Sequence, residues 1–148
     1  MLAWTVKLTV FGLVVMMFVL VQAANAGGNN GIKNYFSDTA SKVKETSDPV
    51  QKREIINKSL ETMSEALDKV QNLPLISKDD RAGIDRLKTA LQEKQDELTG
   101  NNGYERVSDA QLNAFSDYVV QNSEQADKKI TISLVTALLI VIIIILIV

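Results

Sequence analysis

Two uncharged apolar blocks, residues 8–21 and 130–148, bracket a charged middle, and this layout constrains the chain more than any other feature. Every acidic residue lies between Asp38 and Asp127, and every basic residue except Lys7 lies between Lys33 and Lys129. A mean over the chain hides that division. The middle segment, residues 27–129, has the length of one small domain.

The first block follows Lys7 and the free amino terminus, which supply a modest positive charge. Its 14 uncharged residues would reach about 21 Å as a helix, short of a roughly 30 Å hydrocarbon core. Ala24-Asn25-Ala26 behind it has the small-residue spacing of a cleavage site, and Gly27-Gly28 then breaks any helix. The pattern predicts a signal peptide over residues 1–26, cut after Ala26. Trp4, the only tryptophan, would leave with it.

The second block has 19 residues with no charge and only Thr131, Ser133 and Thr136 as polar members. At 1.5 Å per residue it reaches about 28 Å, which predicts a membrane span. Lys128 and Lys129 lie on the domain side and favour the cytoplasm. The signal peptide asks for the opposite. Three arrangements satisfy the pattern. One is a terminal transmembrane helix with the domain on the extracellular, lumenal or periplasmic side. Another is a glycosylphosphatidylinositol (GPI) attachment signal, with Asn122-Ser123 as the attachment point. The third is a tail anchor with the domain in the cytoplasm. The first is the leading expectation.

Between the blocks the apolar period is helical. Ile32, Phe36, Ala40 and Val43 form a short stripe. Asp48-Pro49 is a helix start, with an N-cap and a proline at the first helical position. Ile56, Leu60, Met63, Leu67 and Val70 then make a heptad seam that Leu73-Pro74 ends. Ser77, with Asp80 three residues on, opens the next helix, whose seam reads Ile84, Leu87, Leu91, Leu98 with Lys94 in the missing slot. Gly100 stops it. The two seams predict an antiparallel hairpin resembling a coiled coil. Ser108 and Gln111 predict a further capped start, followed by Leu112, Phe115, Val119, Ala126 and Ile130. No breaker separates Ser108 from Val148, so one long helix running into the membrane is expected. Glu54–Lys58, Glu65–Lys69 and Glu124–Lys128 have the favourable i,i+4 order. The fold expected is all-α: a small antiparallel bundle of three to four helices, the last continuing as the transmembrane segment.

Composition narrows the chemistry. Without cysteine there is no disulfide, thiol nucleophile or thiolate metal site, and without histidine there is no imidazole base or histidine-ligated zinc. A formal charge of −2 offers no basic surplus for a nucleic-acid backbone. Asp79-Asp80 reads as the acidic first turn of a helix rather than a cation site, since calcium-loop spacing is missing. Ser77-Lys78 are chain neighbours that do not face one another as a dyad needs. Asn57-Lys58-Ser59 is a glycosylation sequon inside a predicted helix. No catalytic, cofactor-binding or metal-binding residues are expected. The residues singled out for partner binding are Tyr104 and Arg106, types enriched at interfaces and placed in the longest loop, and Lys94 in the seam. The function expected is that of an exported, membrane-tethered helical interaction or scaffold protein without catalytic activity. Its partners would be the lipid bilayer and other proteins, or further copies of itself, through helix faces. The alternatives are a lipid- or membrane-surface-binding amphipathic protein and a GPI-anchored surface protein.

Overall fold

The computed structural model describes residues 31–74, 76–127 and 132–147, which form five α-helices with no strand among them. These are α1 (Gly31–Glu45), α2 (Pro49–Gln71), α3 (Lys78–Thr99), α4 (Leu112–Asp127) and α5 (Ile132–Ile147). A single 3-10 turn, Asp109–Gln111, precedes α4. The expected signal peptide, residues 1–26, lies outside the described residues, as do residues 128–131 and 148.

Local chemistry sets most helix ends. Asp48 holds an extended backbone, and its Oδ1 accepts the Val50 N–H at 3.0 Å, with Pro49 giving up a donor that a first turn cannot use. Ser77 Oγ accepts the Asp80 N–H at 3.1 Å, and Asp79 and Asp80 lie at the positive end of α3. α3 stops at Gly100, whose φ of 78° is the left-handed conformation that closes a helix without a Cβ penalty. The Asp96 carbonyl accepts both the Gly100 and Asn101 N–H groups there, at 2.8 and 3.0 Å. The expected cap at Ser108 is not formed. Its side chain makes no capping bond, and a backbone bond from Gln111 N–H to Ser108 O closes the 3-10 turn instead, delaying α4 to Leu112.

The hairpin is as the seams require. α2 and α3 run antiparallel, with Gln71 Nε2 donating to Asp85 Oδ1 at 2.6 Å at one end and Arg53 Nη1 to the Leu98 carbonyl at 2.6 Å at the other. Ile56, Leu60, Met63, Leu67 and Val70 are all buried, facing Ile84, Leu87, Leu91 and Leu98 in one core. Each contributes about 1.5–3 kcal/mol relative to an exposed position. α1 packs most extensively on α4, again antiparallel: Lys33 meets Glu124 at 3.3 Å and Lys44 meets Asp117 at 2.7 Å. Phe36 and Phe115 join the same core. Of the charge pairs read from the sequence, Glu65–Lys69 forms at 3.2 Å, and Lys128, the expected partner of Glu124, lies outside the described residues.

The carboxy-terminal region departs from expectation. α4 and α5 are not one straight helix. Glu124 lies against Lys33 at the start of α1, while Leu146 lies beside Lys42 near its end, so α5 returns antiparallel to α4 and packs on α1 and α2. Leu138 and Ile142 are fully buried in the common core. The reason is burial. Folding back covers one stripe of the helix, Leu138 and Ile142, against the other helices. Among the described residues no helix is long and apolar enough to cross a membrane. α5 has 16 residues, which is about 24 Å against roughly 30 Å of hydrocarbon.

Candidate functional site

The loop between α3 and α4 is built from two anchors that sequence reading missed. One is Arg53 on α2. Its Nη1 donates to the Leu98 carbonyl at 2.6 Å, and its Nη2 donates to the Val107 carbonyl at 2.7 Å and to Asp109 Oδ1 at 2.9 Å. A planar fork is suited to this, since it meets a carbonyl of the last turn of α3, which has no partner within the helix, and the returning segment of the loop together. The other anchor is Asp96, buried in the last turn of α3. Its Oδ2 accepts Asn102 Nδ2 at 2.8 Å and its Oδ1 accepts Gln92 Nε2 at 3.2 Å. The Val107 N–H donates to the Glu97 carbonyl at 3.1 Å and closes the loop against the helix.

These bonds account for the backbone of the turn. Asn102 and Gly103 both have positive φ, 52° and 84°, which asparagine and glycine tolerate best. At Gly100 the requirement is also spatial, because a Cβ there would lie 2.9 Å from Arg106 Cβ. On this fixed frame Tyr104 is 42% exposed and Arg106 is exposed. The loop thus offers an aromatic and a guanidinium on backbone ordered before any partner arrives.

Lys94 is elsewhere. It fills the empty seam slot, but it does not snorkel to an open edge: its side chain is 10% exposed and donates to Glu97 Oε1 at 2.7 Å and to the Tyr118 hydroxyl at 3.1 Å. Its Nζ also lies 4.3 Å from the centre of the Tyr118 ring. The structure therefore separates the three residues singled out in the sequence. Tyr104 and Arg106 share the loop, while Lys94 lies on α3 against Tyr118 of α4 and is bonded to Glu97, whose carbonyl accepts the Val107 N–H of the loop.

The electrostatics of this inner cluster are those of a satisfied ion pair. Burial lowers the Lys94 pKa, but the hydrogen bonds to Glu97 and Tyr118 outweigh it and hold the ammonium above the usual lysine value. The Lys94 hydrogen bond, with Asn122 assisting, holds the Tyr118 phenol below its usual value. A lysine acting as base or nucleophile needs the opposite shift. Lys94 is thus a fixed cation that joins α3 to α4. Beside it a half-open groove of about 290 Å³ has a floor of Phe36, Leu87, Leu91 and Val119. Among the described residues no group of three or more acidic side chains is placed to hold a metal ion.

No protein-family model, curated protein or solved structure matches this chain.

Proposed function

We propose that the chain is an exported, membrane-tethered helical module that binds other proteins and carries no catalytic activity. The tether is assigned to residues 130–148 and the signal peptide to residues 1–26. The observation that carries the binding role is the loop frame. Arg53 and Asp96 spend side chains that are largely buried on ordering residues 100–107, whose outward members are Tyr104 and Arg106. Preorganisation of this kind lowers the entropic cost of association, and aromatic and arginine side chains are the usual anchors of interfaces. The tether rests on a helix without a charged residue whose outer stripe, Ile140, Ile144 and Ile147, is half exposed.

Two measurements test the reading. Cell membranes carrying the full chain, washed in alkaline carbonate, should retain it with Val148 present and residues 1–26 absent by mass. Recovery in the wash without detergent would overturn the tether, and loss of the tail with gain of lipid mass would assign a GPI anchor instead. A photo-crosslinker at position 104 should capture a discrete protein adduct that the same probe at Leu73, exposed at the opposite end of the α2–α3 hairpin, does not. The same adducts at both positions, or none at either, would refute the loop as the binding surface.

A further inference from the structure

The seat of α5 is poorly matched to its occupant. Residues 137–147 are all Ala, Leu, Ile or Val, yet only Leu138 and Ile142 are buried. Ile140, Ile144 and Ile147 recur at i, i+4 and i+7 on the opposite side and are 50%, 52% and 57% exposed. Beneath the end of the helix, Leu146 borders a half-open cavity of about 180 Å³ whose other walls include Asp38, Thr39, Lys42, Lys58 and Ser59. The hydroxyls of this wall bond among themselves: Tyr35 donates to the Ser59 carbonyl at 3.1 Å, and Thr39 Oγ1 lies 2.9 Å from Ser59 Oγ. The inner stripe of α5, Leu138 and Ile142, joins the aliphatic and aromatic core of the bundle.

We infer that α5 exchanges between two seats, the α1–α2 groove and the hydrocarbon of a lipid bilayer, and that membrane insertion uncovers the α1–α2 groove. This rests on the tether reading and adds to it a second position for the tail. The occupant for the outer stripe is lipid because the helix is apolar on every side. A second protein helix would cover one further stripe, whereas hydrocarbon covers the whole circumference. With residues 130–148 the uncharged stretch is also long enough to insert. The groove it leaves is mostly apolar with Lys42 and Lys58 among its walls, so the exchange requires the whole circumference of α5 to gain more from hydrocarbon than its inner stripe, Leu138 and Ile142, gives up.

The chain has no cysteine, so an introduced pair reports alone. Lys58→Cys with Leu146→Cys, two positions on the same cavity, is made in the full chain by cell-free synthesis without lipid and treated with a short bis-maleimide. Lys42→Cys with Leu146→Cys serves as a second pair should the first fail to fold by circular dichroism. Crosslinking should be efficient without lipid and fall roughly tenfold when vesicles of phosphatidylcholine and phosphatidylglycerol are added. No crosslink in the absence of lipid overturns the groove seat and leaves the tether reading intact. Equal crosslinking with and without vesicles, in protein that floats with them, overturns the exchange and moves attachment to another segment. Equal crosslinking in protein that does not float overturns the exchange and the tether together.

Discussion

Replacing Arg53 by lysine should cost about 2 kcal/mol although the charge is kept. The Arg53 side chain is 13% exposed and makes two bonds to backbone carbonyls, Leu98 O and Val107 O, and one to Asp109. A hydrogen bond from a charged donor is worth about 1.5–3 kcal/mol where the partner is shielded. Lysine has one point-like ammonium and can satisfy one carbonyl, leaving the other short of a partner. Alanine loses both, about 3 kcal/mol once water reaches the loop. The Asp109 bond should matter little. That carboxylate is 62% exposed, and pairs of this kind are worth roughly 0.2–1 kcal/mol. The assay is thermal unfolding of the full chain in lipid nanodiscs by far-UV circular dichroism, paired with amide exchange. At roughly 4 °C per kcal/mol, Arg53→Lys should lower the midpoint by about 8 °C. Exchange should accelerate at Val107, whose N–H is bonded to Glu97 O, and not in the middle of α2. If Asp109→Asn costs as much as Arg53→Lys, the surface ion pair and not the fork holds the loop. If Val107 exchange is unchanged in both, the loop has another anchor and the argument for a preorganised surface fails.

Other substitutions test the frame and the core. Gly100→Ala should destabilise by about 2 kcal/mol, whereas Gly103→Ala should cost only about 1 kcal/mol, because both have positive φ but only Gly100 faces a close neighbour, Arg106; equal losses in denaturant titrations would discount the contact. Leu60→Asp places a charge at a fully buried position between the helices and should cost more than about 4 kcal/mol, abolishing cooperative unfolding; an unchanged midpoint would remove the seam. Burial pushes the Tyr35 phenol from 10.0 up to about 12. The folded state then keeps a proton that the unfolded state releases first, so stability is intact below pH 10 and falls by roughly 3 kcal/mol as pH rises to about 12. Tyr35→Phe should flatten that fall in urea titrations, and an identical alkaline profile in the variant would place its origin elsewhere.

The parts of this fold legible in the sequence are those decided within a few residues. Asp48-Pro49, Ser77 with Asp80, and Gly100 act on backbone groups one to four positions away, so their effect is the same whatever surrounds them. The stripes Ile56–Val70 and Ile84–Leu98 were legible for a similar reason, since the helical period puts their members on one face before any partner is known. Ser108 shows the limit, because a plausible cap was displaced by a backbone 3-10 bond one step later.

What the tertiary structure decided concerns groups that meet across long separations. Nothing in the sequence sets Arg53 apart from the other charged residues. Its role depends on two carbonyls 45 and 54 residues away that lie beside it only once the hairpin and loop have formed. Lys94 could be placed in a seam by counting, but Tyr118, its partner on α4, could not. The direction of α5 is the clearest case. Residues 137–147 are all apolar and contain no breaker, and apolar burial is non-directional. The sequence alone determines that residues 130–148 avoid water, and only the shape of the bundle decides that one stripe, Leu138 and Ile142, has a place to go within it.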